Sequence, residues 1–152
     1  MSDQTLITAD LVDLDLAATE RGAATRSLAE RLAAAGRVTD LEGFLADVAA
    51  REAQMPTGIE GGIGIPHCRS VHVTEPTLGF GRAPHGIDWG ASDGPATLIF
   101  LIAAPEGGGS EHMKILAALA RRLIRQDFKD RLHAATDPAD VADYIRQEVT
   151  PK

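Results

Sequence analysis

The spacing of apolar and polar residues changes several times along the chain, and each change marks an element. Val12, Leu14 and Leu16 alternate with Asp13 and Asp15, the two-residue period of a half-buried strand. From about Ala23 to Ala35 the period becomes helical, with Leu28 and Leu32 on one face and Gly36 as a stop. Thr39-Asp40-Leu41-Glu42 reads as a capping box, with Thr39 as N-cap and Glu42 three residues on. Leu41, Phe44, Leu45 and Val48 then form the stripe of a core-facing helix that runs to about Glu52, with Arg51 near its C-terminus.

Three strands are predicted next, at Gly62 to Pro66, Thr77 to Gly81 and Thr97 to Ala103. The last is continuously apolar, as in a strand covered on both faces. Ala83 to Pro95, with two prolines and three glycines, reads as a loop, and Pro105 to Gly109 as another. Ser110 then caps a helix that turns Met113, Leu116, Ala120 and Leu123 inward. A short helix follows near Phe128 to Ala134. Asp137-Pro138 opens the last one, with aspartate as N-cap and proline in the first helical position. The order β-α-α-β-β-β-α-α-α predicts a three-layer α/β/α sandwich around a mixed sheet, one domain over residues 1–150.

Composition narrows the function. A net charge of −7 argues against non-specific nucleic-acid binding. No apolar run approaches the roughly 20 residues that span a bilayer, and the acidic N-terminus lacks the basic region of a secretory signal. A single cysteine, Cys68, excludes an internal disulfide and fits a reducing compartment, so cytoplasm is expected.

The candidate chemistry centres on His67. It ends the run Gly61-Gly62-Ile63-Gly64-Ile65-Pro66-His67, in which a glycine-rich turn and a short apolar segment present an imidazole on a rigid edge. A neutral imidazole nitrogen is a competent nucleophile near neutral pH. His112 falls in the first turn of a helix, where free backbone N–H groups favour an anion; taken alone it reads equally well as a surface residue. Arg51 carries a permanent forked charge suited to phosphoryl oxygens, although by itself it reads first as a cation answering its helix dipole. The glycine run lacks the Lys-Ser/Thr of a Walker loop and the spacing of a dinucleotide turn. His67, Cys68 and His72 match no standard zinc spacing, and adjacent His67 and Cys68 are poorly placed to form a nucleophile–base pair. His72, His85 and His133 read as surface or loop residues. No cofactor or metal is expected.

Three stretches carry a family resemblance: REAQMPTGIEGGIGIPH (Arg51 to His67), GIDWGASDGPATLIFLIAAP (Gly86 to Pro105) and HMKILAALARRL (His112 to Leu123). The chain resembles, over nearly its whole length, the enzyme IIA domain of the fructose/mannitol class of the bacterial phosphoenolpyruvate-dependent sugar phosphotransferase system. The resemblance implies that His67 is the phosphorylated histidine, His112 the second active-site histidine and Arg51 the arginine that steadies the phosphoryl group. It implies HPr as phosphate donor and a cysteine of enzyme IIB as acceptor, with the membrane met only through IIC and fructose as the sugar. Cys68 is not that acceptor, which lies on another domain. The rival is the nitrogen-type IIA paralogue, which signals by binding targets. A docking surface is expected around His67, built from Ile63 and Ile65 or from the Ala83 to Trp89 segment, with Glu60, Glu106 and Glu111 at its rim.

Overall fold

In a computed structural model of the chain, residues 6–54, 58–59, 61–91, 94–106 and 111–149 are described. A 3-10 turn at Ala9–Leu11 leads into β1 (Val12–Asp13), followed by α1 (Arg21–Ala34) and α2 (Leu41–Gln54). Five further strands follow: β2 (Gly58–Ile59), β3 (Ile63–Gly64), β4 (His67–Ser70), β5 (Thr77–Ile87) and β6 (Ala96–Pro105). Among the described residues three helices follow, α3 (Glu111–Leu123), α4 (Gln126–Ala134) and α5 (Pro138–Val149).

The strands form one mixed sheet in the order β1-β5-β6-β3-β2, with β4 also on β6. β1 runs parallel to β5, β5 antiparallel to β6, and β3 and β4 both parallel to β6. Residue parity fixes the faces. Side chains added at Gly79 and Gly81 would meet Leu32 and Leu28 of α1, so these positions and their partners Leu101 and Ile99 face α1. Phe80, Phe100 and Ile102 therefore face the other way, and the two phenylalanine rings pack with centroids 5.0 Å apart. On that second face Arg82 lies beside the end of α4, its Nη1 3.0, 3.0 and 2.7 Å from the carbonyl oxygens of Leu132, His133 and Ala135. Helices thus cover both faces, as the sequence order predicts.

Several boundaries differ from the sequence reading. The N-cap of α2 is Asp40, whose Oδ1 accepts from Gly43 N at 3.2 Å. Thr39 instead donates to the carbonyl of His72, and Glu42 takes a forked bond from Arg26. The expected loop from Ala83 begins as strand, because β5 continues to Ile87 and pairs again with Ala96 beyond an irregularity after Arg82. The inward stripe of α3 is Ile115, Ala118, Leu119 and Leu123, while Met113 is 56% exposed and Ala120 is exposed. Ser110, the expected cap of α3, lies outside the described residues. Other signals hold: Gly36 has φ 80° and ends α1 with Arg37 N bonded to Leu32 O, and Asp137 Oδ1 caps α5 at Ala139 N, 3.0 Å away.

Candidate active site

The predicted strand from Gly62 to Pro66 is broken. β3 covers only Ile63–Gly64, Ile65 and Pro66 form a joint, and β4 resumes along the same neighbour at His67. His67 therefore begins a strand segment rather than ending one. Its Nδ1 lies 2.7 Å from the carbonyl oxygen of Ile65. A carbonyl only accepts, so Nδ1 carries the hydrogen and Nε2 keeps its lone pair. The half-buried ring is held by its own backbone, and the unprotonated nitrogen is the one a nucleophilic histidine would use.

Burial alternates along β4: Cys68 and Ser70 are buried, while His67 is half-buried and Arg69 exposed. The β4–β6 register pairs His67 with Ile102, which puts the imidazole on the face opposite α1. Cys68 and Ser70 point the other way, toward α2. His67 and Cys68 therefore cannot converge on one metal ion or act as a nucleophile–base pair. Burial, with the nearby Asp47 carboxylate adding to it, pushes the Cys68 thiol up to about 12, and it is not a nucleophile at neutral pH.

Arg51 lies in the last turn of α2. A side chain on Gly43 would collide with the His72 imidazole, and Asp47 Oδ2 accepts from Ser70 Oγ at 2.6 Å. Helix number rises as strand number falls, so α2 and β4 run antiparallel. Four helical residues advance about 6 Å, close to two strand residues. The next step places the turn of Arg51 opposite Cys68 and its neighbour His67. Arg51 shares the face of Asp47, four residues earlier.

His112 belongs to the first turn of α3, and its side chain lies outside the described residues. Its place follows from β6 and the turn after it: Ser70 pairs with Pro105, Glu106 N bonds to Ser70 O at 3.1 Å, and α3 begins at Glu111. α3 packs on β6. The chain thus leaves β6 at the end of the sheet where β4 also ends, shortly before α3 begins. Among the described residues β4 has β6 on one side only, so His67 sits at an edge of the sheet open to both helical layers.

The expected apolar rim is not where the sequence put it. Ile63, Ile65, Ala83, Ile87 and Trp89 are all buried. Trp89 lies against the glycine run itself, where a side chain at Gly64 would stand 2.7 Å from its indole. The run is glycine-rich in part because a tryptophan packs on its backbone. The exposed large apolar side chains among the described residues are Val71, Met113 and Ile124; Val71 follows β4 and Met113 follows His112. Glu106 is exposed, while Glu60 and the Glu111 side chain lie outside the described residues. His85 and His133 are exposed and bond to Ala18 O and Thr97 Oγ1. His72 packs at the start of α2 near Asp40. Sequence reasoning missed Asp47 and Ser70; the usable signals were helical spacing from Arg51 and strand alternation from His67.

Comparison with known proteins gives the family and the fold. Residues 5–148 match the family described as phosphoenolpyruvate-dependent sugar phosphotransferase system, EIIA 2. The chain is 36% identical to the fructose-specific EIIA component of Haloferax volcanii, over 95% of each chain. It is 33% identical to the fructose-specific EIIABC component of Bacillus subtilis, over 93% of this chain and 22% of that longer one. Among solved structures, IIA mannitol from Escherichia coli is similar at TM-score 0.76 and 25% identity, covering 91% of this chain and 96% of that one. The nitrogen regulatory protein IIA-Ntr of Neisseria meningitidis shares the fold at TM-score 0.84 and 23% identity, covering 92% and 96%.

Proposed function

Because the chain belongs to the EIIA 2 family of the phosphoenolpyruvate-dependent sugar phosphotransferase system, we propose that it is a phosphohistidine relay whose acceptor atom is His67 Nε2. The observation that carries the reading is the bond from His67 Nδ1 to Ile65 O, which leaves Nε2 free to attack. Phospho-HPr is the donor. The Nε2 lone pair forms a bond to phosphorus as the phosphorus–nitrogen bond of the donor breaks, and the donor imidazole keeps that electron pair. The second transfer repeats the exchange, with the cysteine thiolate of enzyme IIB as nucleophile and His67 as leaving group.

Such a transfer asks mainly for alignment and charge stabilisation. Arg51 supplies a fixed charge for the equatorial oxygens. His112, at a helix N-terminus that favours a neutral imidazole, supplies a hydrogen bond. The phosphate arrives already activated, so the chemistry asks for no nucleotide and no metal. Residues 1–150 act as one IIA domain in the cytoplasm and meet the membrane only through IIC.

Fructose is the sugar favoured by the relatives, since two fructose-specific proteins at 36% and 33% identity cover nearly all of this chain. The likeness to the nitrogen regulatory protein, at 23% identity, is one of fold. Incubation with phosphoenolpyruvate, enzyme I and HPr should give an acid-labile, alkali-stable phosphoprotein. His67→Ala should fold and take up no phosphate; full labelling of that variant would remove His67 from the reaction.

A further inference from the structure

We infer that Ser70 and its partner Asp47 are positioning residues for phosphoryl transfer, fixing the three segments that carry Arg51, His67 and His112 relative to one another. The inference rests on the relay reading above. Ser70 is 1% exposed, and both its hydroxyl and its carbonyl are used. Its hydroxyl donates to Asp47 Oδ2 at 2.6 Å and accepts from His72 N at 3.1 Å. Its carbonyl accepts from Glu106 N at 3.1 Å and Val73 N at 3.3 Å. Asp47 belongs to α2, Ser70 to β4, and Glu106 to the turn between β6 and α3. One buried residue thus ties together the helix of Arg51, the strand of His67 and the approach to His112.

The geometry makes Arg51 the most dependent of the three. It lies one helical turn beyond Asp47 on the same face, and the Ser70–Asp47 bond ties α2 directly to β4. A part-buried hydroxyl–carboxylate bond is short and charge-assisted. Without it, α2 can slide or tilt against β4, and Arg51 moves with it. A displacement of about 1 Å in a transfer site costs on the order of a hundredfold in rate. Neither Ser70 nor Asp47 need touch the phosphoryl group for this to hold: Ser70 points to the face opposite His67.

The test is single-turnover labelling by phospho-HPr over a range of donor concentrations, for wild type, Ser70→Ala, Asp47→Asn, Arg51→Ala and the combinations. Ser70→Ala and Asp47→Asn should each lower the maximal rate about ten- to a hundredfold. The half-saturating donor concentration should stay within about twofold and labelling should still run to completion. In the Arg51→Ala background, Ser70→Ala should add less than about threefold, because the residue it positions is gone. Circular dichroism checks folding. If Ser70→Ala fails to fold, Asp47→Asn, which keeps the size of the side chain, carries the same comparison. A maximal rate within about twofold of wild type in the folded variants, or a full multiplicative loss on top of Arg51→Ala, overturns the inference. His67→Ala separates the two ideas. Labelling of that variant overturns the relay assignment, whereas a silent His67→Ala beside an unimpaired Ser70→Ala overturns only the positioning role.

Discussion

Gly64→Ala should damage the fold beside His67 by a predictable amount. A Cβ at Gly64 would lie 2.7 Å from Trp89 Cδ2, 2.8 Å from Cγ and 3.0 Å from Cε2. Comfortable carbon contacts lie at about 3.5–4.0 Å, so strand and indole must part by roughly 1 Å. Neither has room. Gly64 is paired with Ile99 on one side and Gly58 on the other, and Trp89 is fully buried. Overpacking of this kind costs about 1–3 kcal/mol, and with both partners held we expect about 2–3. For a chain of this length that is a fall in Tm of about 4–12 °C. Trp89 is the single tryptophan, so its fluorescence reports both the melt and any exposure of the ring. Ile65, whose carbonyl holds His67, is the next residue, so labelling should slow as well. Gly22→Ala is the control: nothing lies within 4 Å of the added methyl, and in α1 the change should gain up to about 1 kcal/mol. An unchanged Tm and emission spectrum for Gly64→Ala would refute the packing described for Trp89.

Arg82→Met should destabilise the domain by about 2–4 kcal/mol in urea unfolding, because it strips the end of α4 of charge-assisted bonds and also loses the bond from Nε to Leu14 O; an unchanged midpoint would show those carbonyls to be satisfied by water. Cys68 should resist thiol reagents in the folded protein at pH 8 and react once unfolded. Its thiol is pushed up to about 12 when folded, so the unfolded chain ionises first. The stability linked to it is therefore complete below about pH 8.5 and lost as pH rises toward 12, by up to about 1.4 kcal/mol per pH unit. Cys68→Ala should lack that component; identical alkaline profiles for the two proteins would contradict the burial.

The elements set by local chemistry were legible in the sequence. Asp137-Pro138 starts α5, Gly36 ends α1, and the apolar run from Thr97 became the central strand, because each depends on backbone conformation or on burial along one stretch. What was illegible depended on a distant partner. Thr39 has the residue type and spacing of an N-cap, but its hydroxyl is taken by the His72 carbonyl and Asp40 caps α2 instead. The α3 sequence offers two overlapping apolar stripes, and packing on β6 selects the one with Ile115 and Leu119. The same holds at the site. His67 stood out from its glycine-rich approach, whereas Ser70 acquires its meaning only when β4 is laid against α2, and Trp89 only when it is laid against the glycines.

The joint at Ile65–Pro66 has a consequence for how tolerant this chemistry is of change. The group that sets the tautomer of His67, and with it the attacking nitrogen of the proposed relay, is a main-chain carbonyl, which no substitution can delete. It accepts from Nδ1 in the neutral ring, and would accept from it equally in the cationic ring first formed if Nε2 takes up phosphate. In the proposed relay the imidazole could pass through a complete cycle without turning over. Surrounding side chains are free to be retuned for new donors and acceptors, while the choice of attacking atom stays written into the path of the backbone.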